Sequence, residues 1–131
     1  MSLSIITTVL NDEKFIYDCG KSVKNQNITK NYEHIVIDGG SNDNTLKILK
    51  KLKKDNKYLK IFVKKDLGIY QGINFGIKKA KYNLIGLLHS DDFYKNNMVL
   101  STVIKVFRSN LNLSAIYSNV EIVKRDNKKK L

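Results

Sequence analysis

The 131-residue chain contains a single cysteine, Cys19, and neither proline nor tryptophan. One cysteine excludes an internal disulfide and a zinc site built on several cysteines, and it makes a cytoplasmic location the simplest expectation. No apolar run approaches the roughly 20 residues that span a bilayer. The first ten residues, MSLSIITTVL, lack the basic start and the cleavage site of a signal peptide. These absences favour a single soluble domain over residues 1–131.

Acidic residues are also scarce, since 24 lysines and arginines stand against 12 aspartates and glutamates, a formal net charge of +12. Such an excess suits nucleic acid, an anionic membrane face or a phosphorylated ligand. Arginine, whose planar fork matches phosphate oxygens, occurs only at Arg108 and Arg125. The lysines are dispersed and not interleaved with aromatics. We therefore expect no nucleic-acid partner, and we keep a peripheral contact with the inner membrane face as an expectation.

No glycine-rich phosphate loop follows the first apolar run. A dinucleotide-binding domain would carry G-x-G-x-x-G here and a P-loop enzyme G-x-x-x-x-G-K-[ST], whereas the segment is VLNDEKF. The backbone N–H cradle that such loops offer to phosphates is therefore absent at this position. A nucleotide bound nearby would need another source of positive charge.

Short apolar runs alternate with amphipathic segments along the chain. We predict strands over 3–10, 34–37, 59–63, 82–88 and 113–123. We predict helices over 15–25, from a cap at Ser41 or Asp43 through Leu52, over 69–80 and over 98–107. This alternation is typical of an α/β fold, here a three-layer, Rossmann-like, mostly parallel sheet of about five strands with helices on both faces. Residues 125–131 are predicted to form a disordered, charged tail.

Polar residues follow the predicted strands at the edge where ligands bind in such sheets. Asp38 is placed to accept a hydrogen bond from a ribose or a base edge, but its segment DGGSND taken alone favours a plain turn with a helix cap. Asp91 and Asp92 allow two interpretations that are evenly matched. They can occupy the first turn of a helix capped by Ser90, where the dipole stabilises each by roughly 0.3–1 kcal/mol. They can also hold Mg²⁺ or Mn²⁺ on substrate phosphates.

Two other titratable side chains are predicted to be structural. Cys19 lies on the apolar face of the first predicted helix, which favours a place in the core over a role as nucleophile. His34 opens a buried strand and is also expected in the core. For His89, two residues before Asp91, a contact that supports the metal ligands and a place in the core both stay open.

Four segments in this order, SIITTVLN, HIVIDGGSNDNT, KKDLGIYQGINFGIKKA and LIGLLHSDD, together resemble the nucleotide-binding half of family 2 glycosyltransferases of the GT-A fold. The resemblance covers about Ser4 to Tyr94 and is strongest to bacterial enzymes that build surface polysaccharides. It implies inverting transfer from a nucleoside-diphosphate sugar, with a UDP-sugar favoured. The acceptor would be a saccharide or a lipid-linked acceptor, and the cofactor Mg²⁺ or Mn²⁺.

The same resemblance implies the site residues. Those for the nucleotide sugar are Thr7, Asn11, Asp38, Asp66, Gly68, Tyr70, Asn74 and Asp91, and the metal would be held by Asp92 and Asp91. His89 stands where the family has an acidic or amide residue. No general base is assigned, because the only acids after Asp92 are Glu121 and Asp126 and neither lies in a matching motif. The acceptor-binding half is expected to be absent from this chain.

Two alternatives stay open. One is a catalytically incomplete nucleotide-sugar-binding or assembly module of the same fold, which would form a homo-oligomer through a free sheet edge. The other is a basic nucleic-acid-binding domain, which the dispersed lysines and the carboxylates at the strand ends disfavour.

Overall fold

The computed structural model describes residues 1–28 and 31–124. Within them strands and helices alternate in the order β1 Leu3–Val9, α1 Ile16–Lys24, β2 Tyr32–Asp38, α2 Thr45–Lys54, β3 Leu59–Val63, α3 Ile69–Lys79, β4 Leu84–Leu87 and α4 Val99–Ser109. The predicted tail over 125–131 lies outside the described residues. None of the helices among the described residues is both long and apolar enough to cross a membrane.

The sheet has four parallel strands in the order β3-β2-β1-β4. The chain moves outward from β1 to β3 and then returns to place β4 on the other side of β1. The strand order therefore reverses between β1 and β4. Val9 pairs with Asp38, and Asp38 pairs with Val63, so three strands end level at one edge. β4 pairs with β1 and with no other strand of the described residues, and association into a homo-oligomer stays a prediction.

Apolar side chains are buried on both faces of the sheet, as expected for a parallel sheet. On one face, Leu3 and Ile5 pack with Cys19 and Val23 of α1 and with Leu100 of α4. On the same face, β1 and β2 also pack against α2. On the other face, residues of β1 and β2 pack with Phe75 of α3. The predicted three-layer α/β arrangement is confirmed.

The predicted strand over 113–123 is wrong. Residues 113–122 form neither helix nor strand, and Val123 makes one isolated bridge. Tyr117 is 95% exposed and Leu111, just before this segment, is 87% exposed, so these apolar side chains contact no sheet that would bury them. A β-branched and aromatic sequence forms a strand only where a neighbouring strand pairs with it. The described sheet consequently has four strands instead of about five.

Candidate functional site

The loops that follow β1 and β2 are joined by hydrogen bonds. Asn11, at a positive φ of 52°, donates its backbone N–H to Ser41 Oγ at 2.9 Å. Its side-chain Oδ1 accepts the N–H of Asn42 at 2.8 Å. Glu13 accepts both the backbone N–H and the side-chain amide of Asn44, at 2.9 and 2.8 Å. The predicted site residue Asn11 is thus held in a fixed conformation between two loops.

Asp38 ends β2 and is fully buried. Its Oδ1 accepts the backbone N–H groups of Gly40 at 2.8 Å and Ser41 at 2.7 Å, so the predicted turn is formed by one carboxylate oxygen. The second oxygen, Oδ2, is buried and has no hydrogen-bond partner among the described residues. A buried acceptor without a partner costs roughly 1–3 kcal/mol. This oxygen is therefore chemically suited to accept a hydrogen bond from a ligand.

Thr7 lies in the core and not at the strand-end surface. Its Oγ1 is 2.9 Å from Nε2 of His34 and 4.0 Å from Sγ of Cys19, and all three side chains are buried. The core positions of His34 and Cys19 are confirmed. Burial lowers the pKa of His34 to about 4 and raises the pKa of Cys19 to about 12, so both are neutral near pH 7. A ligand contact by Thr7 stays a prediction.

The loop after β3 and the first half of α3 together carry four predicted site residues. Asp66 is exposed and adopts a positive φ of 64°. Gly68 is the N-cap residue, and a Cβ added there would meet no atom within 4 Å. Tyr70 is 83% exposed, and Asn74 is exposed one turn further along α3. These residues thus lie in the first half of α3 and just before it. The N-terminus of this helix has no side-chain cap, and the space beside Gly68 is open.

The helix-cap interpretation of Asp91 and Asp92 is wrong. Ser90 and Asp91 lie in a turn, and the next helix begins only at Val99. A helix dipole therefore does not explain the two adjacent charges. Both carboxylates are exposed, and neither makes a side-chain hydrogen bond or an ion pair within the described residues.

Two contacts hold this turn against the β1 side of the sheet. Ser90 Oγ donates to Asp12 Oδ2 at 2.6 Å, which joins the loops after β4 and β1. The thiol of Cys19, in α1, donates to the backbone carbonyl of His89 at 3.5 Å. These contacts span the place where the strand order reverses, which is the usual ligand position in open α/β sheets. The sequence suggested a helix-cap role for Ser90 but did not predict its hydrogen bond with Asp12.

Asp38 and the Asp91–Asp92 turn stand on either side of β1. Because neighbouring strands lie about 4.8 Å apart, β2, which ends at Asp38, and β4, which leads to the turn, are about 10 Å apart across the sheet. Asp91 and Asp92 offer hard oxygen ligands without protein partners, which suits Mg²⁺ or Mn²⁺. No group of three or more metal-binding side chains occurs in residues 1–28 and 31–124. Two carboxylates with the remaining positions left to phosphate and water are nonetheless a normal magnesium set, so the residues fit such an ion.

Known proteins with related sequences are glycosyltransferases. The model of the family Glycosyl transferase family 2 matches residues 4–131. A chondroitin synthase from Escherichia coli is 31% identical over 124 residues, covering 95% of this chain and 18% of that protein. A Methanococcus voltae enzyme, dolichyl N-acetyl-alpha-D-glucosaminyl phosphate 3-beta-D-2,3-diacetamido-2,3-dideoxy-beta-D-glucuronosyltransferase, is 36% identical over 104 residues, covering 73% of this chain and 32% of that enzyme. The chain thus spans a third or less of the length of these relatives.

Solved structures share the fold. Residues 1–349 of Staphylococcus aureus TarS in complex with UDP-GlcNAc superpose with a TM-score of 0.76 at 27% identity, over 83% of this chain and 32% of that one. The mannosyltransferase PcManGT from Pyrobaculum calidifontis, in complex with GDP-Man and Mn²⁺, gives a TM-score of 0.75 at 16% identity, over 80% and 32%. The second likeness concerns the fold alone. By its family match over residues 4–131 and its GT-A sheet, this chain belongs to glycosyl transferase family 2.

Proposed function

We propose that this chain is the donor-binding part of an inverting glycosyltransferase and binds a nucleoside-diphosphate sugar with a divalent cation. The observation that carries the proposal is that the buried Asp38 Oδ2 and the exposed carboxylates of Asp91 and Asp92 follow strands that end at the same sheet edge. None of these groups has a hydrogen-bond partner among the described residues. The two strands that lead to these groups, β2 and β4, lie about 10 Å apart, which suits a ligand with a base at one end and a diphosphate at the other. The membership in glycosyl transferase family 2 supports the same conclusion.

Asp38 would recognise the base. A carboxylate oxygen accepts a hydrogen bond, and the imino N–H of uracil, thymine or guanine donates one. Adenine and cytosine have no such imino donor, so we expect their nucleotides to bind less well. The TarS structures with UDP-GlcNAc and with UDP are the support for preferring a UDP-sugar here.

Asp91 would accept a hydrogen bond from a ribose hydroxyl, and Asp92 with Asp91 would ligate the cation. When bound, Mg²⁺ or Mn²⁺ supplies charge neutralisation for the leaving nucleoside diphosphate. The chain offers no glycine-rich loop after β1 that would do this instead. Asp12 and Cys19 would keep the turn in place through Ser90 and the His89 carbonyl.

Transfer itself needs a base. In the inverting reaction an acceptor hydroxyl attacks the anomeric carbon, the bond to the nucleoside diphosphate breaks, and a carboxylate takes the hydroxyl proton. Among the described residues after Asp92, the only acid is Glu121, which is ion-paired with Lys95 at 2.7 Å. Asp126 lies outside the described residues. The proposal for this chain is therefore donor binding, and transfer to a saccharide or lipid-linked acceptor is proposed for the whole protein.

The test is thermal unfolding of the chain with UDP-, GDP-, dTDP- and ADP-sugars, each with Mn²⁺ and with EDTA. A ligand at 100 times its Kd stabilises the folded state by about 2.7 kcal/mol, so a UDP-sugar with Mn²⁺ should raise Tm by several degrees. We expect Asp38→Asn, which replaces the free acceptor by a donor, to weaken binding at least tenfold. We expect Asp92→Asn to abolish the dependence on Mn²⁺.

The matched control is Asp55→Asn, because Asp55 is exposed at the end of α2, outside the candidate site. It should bind the UDP-sugar as the unmodified chain does. If no nucleotide sugar raises Tm in any metal, the donor-site assignment is wrong. Binding without any hydrolysis or transfer by the whole protein would instead support the incomplete binding module, and salt-sensitive binding of oligonucleotides would support the nucleic-acid alternative.

A further inference from the structure

A continuous series of hydrogen bonds connects the two parts of the candidate donor site. Asp38 Oδ1 accepts the backbone N–H of Ser41 at 2.7 Å, and Ser41 Oγ in turn accepts the backbone N–H of Asn11 at 2.9 Å. The next residue, Asp12, accepts the hydroxyl of Ser90 on Oδ2 at 2.6 Å. Ser90 directly precedes the two aspartates that are proposed to hold the cation. We call this series the loop network, and its members are Asp38, Ser41, Asn11, Asp12 and Ser90.

Each proposed ligand would stabilise one end of the loop network. At one end the turn uses Asp38 Oδ1, while the buried Oδ2 has no hydrogen-bond partner among the described residues. A buried acceptor without a partner costs free energy, and a base N–H donor would remove this cost and stabilise the turn that carries Ser41. At the other end, a cation on Asp91 and Asp92 would fix the exposed turn that includes Ser90.

The middle of the loop network is a segment whose conformation depends on its partners. Asn11 is exposed and has a positive φ of 52°, a region that few residues other than glycine adopt and that asparagine tolerates. Ser41 Oγ holds its backbone N–H, and its own Oδ1 accepts the N–H of Asn42 at 2.8 Å. The backbone that leads into Asp12 therefore has the observed conformation only when the loop after β2 has its own.

Asp12 reaches the loop after β4 from a position that three contacts define. Its backbone N–H donates to Oγ1 of Thr45, the fully buried first residue of α2, at 2.9 Å. Its backbone carbonyl accepts the N–H of Ile16, at the start of α1, at 3.1 Å. Its side chain then binds Ser90 at 2.6 Å, a distance typical of a strong bond from a hydroxyl to an ionised carboxylate. This bond requires the loop after β1 to be in place.

We infer that Asp12 and Ser41 are positioning residues that make the binding of the base and the binding of the cation cooperative. A base on Asp38 favours the conformation in which Ser41 holds Asn11, and this conformation places Asp12 against Ser90. A cation fixes the same contact from the other side. Each ligand thus reduces the conformational entropy that the other loses on binding. The inference rests on the proposed donor function and adds that its two ligands assist each other through the protein.

The test is the titration of Mn²⁺ into the 131-residue chain with and without saturating uridine, followed by the electron paramagnetic resonance signal of free Mn²⁺. Uridine carries the base and the ribose but no phosphate, so it cannot bind the cation through a diphosphate. We expect uridine to raise the affinity for Mn²⁺ roughly fivefold or more. Mn²⁺ must then raise the affinity for uridine by the same factor, which equilibrium dialysis measures.

Ser90→Ala and Ser41→Ala each interrupt the loop network without changing a charge or a proposed ligand-binding side chain. Asp12 is half-buried and Asn11 is exposed, so water can replace the lost bond and both variants are expected to fold. We expect each variant to lower the coupling factor below about twofold. The double variant should lower it no further, because both changes interrupt the same series of bonds. A ribose contact with Asp91 would instead couple the two ligands equally in all these chains.

Ser109→Ala is the matched control, because Ser109 Oγ donates to the carbonyl of Val106 at 2.9 Å at the end of α4, outside the candidate site. It should keep the full coupling factor. Equal Mn²⁺ affinity with and without uridine, an undiminished factor in either serine variant, or a further loss in the double variant would each overturn the inference and leave the donor function intact. If uridine or Mn²⁺ does not bind the unmodified chain at all, the donor function fails, and the cooperativity fails with it.

Discussion

His34 and Thr7 form a buried polar pair inside the sheet, with 2.9 Å between Nε2 and Oγ1. Burial lowers the pKa of His34 from its ordinary value of 6.5 to about 4. Above pH 6.5 the imidazole is neutral in both the folded and the unfolded chain and does not affect stability. Between pH 6.5 and 4 the unfolded chain binds a proton that the folded chain does not. Stability therefore falls as the pH falls through this window and levels off below it.

We predict that the chain loses about 2 kcal/mol of unfolding free energy between pH 7 and pH 5 through His34 alone. His34→Gln keeps a hydrogen-bonding group near Thr7 but has no proton to bind in this range. Urea unfolding at both pH values measures the effect as the difference between the two chains. If the unmodified chain and His34→Gln lose the same free energy, the histidine does not stay neutral in the fold.

The strand-end positions of Asp38, Asp91 and Asp92 were predictable, because a residue that ends a parallel strand lies at the carboxyl edge whatever the strand order. The position of Thr7 was not. Thr7 lies within β1, where successive side chains point to opposite faces of the sheet and are buried to different extents. Its hydroxyl is hydrogen-bonded to His34. The contacts of Glu13 with Asn44 also escaped prediction, because they join residues 31 positions apart and depend on the pairing of β1 with β2.

Helix α3 packs closely on the sheet through its glycines. A Cβ on Gly76 would lie 2.6 Å from Ile6 Cγ2 and 2.9 Å from Ile37 Cδ1, and both isoleucines are fully buried. A Cβ on Gly72 would lie 2.8 Å from Thr8 Cγ2. The two glycines, which weaken a helix by propensity, are therefore explained by this close approach. The same approach fixes the helix that carries the predicted site residues Tyr70 and Asn74.

We predict that Gly76→Ala destabilises the chain by about 1–2 kcal/mol, because overpacking against two buried isoleucines outweighs the helix propensity that alanine gains. Gly68→Ser is the matched control on the same element, since a Cβ at Gly68 meets no atom within 4 Å and serine is a good N-cap. Chemical unfolding measures both. A Gly76→Ala chain as stable as the unmodified one would mean that α3 sits further from the sheet than described.

Most elements were predictable from periodicity, and the two errors share one physical cause. The segment over 113–123 has strand-forming residues, and Ser90 has the chemistry of a helix cap, but neither forms the expected element. Propensity describes what a segment can adopt, while pairing and packing decide what it does. For 113–123 no strand of the described residues provides that pairing along its length. Between Ser90 and α4, the segment 93–97 is held by Ser22 and Gln26 of the α1 region instead.

The net charge of +12 is unevenly distributed over the molecule. Helix α2, with the sequence TLKILKKLKK, has no acidic residue. Its exposed outer face carries five lysines, namely Lys47, Lys50, Lys51, Lys53 and Lys54. The buried face of the helix, with Leu49, packs on the sheet. Such a stripe on a fixed helix is suited to an anionic membrane face.

We predict that the chain binds vesicles of phosphatidylcholine with about 30% phosphatidylglycerol and does not bind vesicles of phosphatidylcholine alone. Each lysine near such a surface contributes about 1 kcal/mol, so Lys50→Glu/Lys54→Glu should weaken vesicle binding at least tenfold. The control Lys78→Glu/Lys105→Glu changes the net charge equally but alters exposed lysines of α3 and α4. Co-sedimentation at low and high salt is the measurement. Equal weakening by both double variants would mean that binding follows net charge alone, and the α2 stripe would then have no specific role.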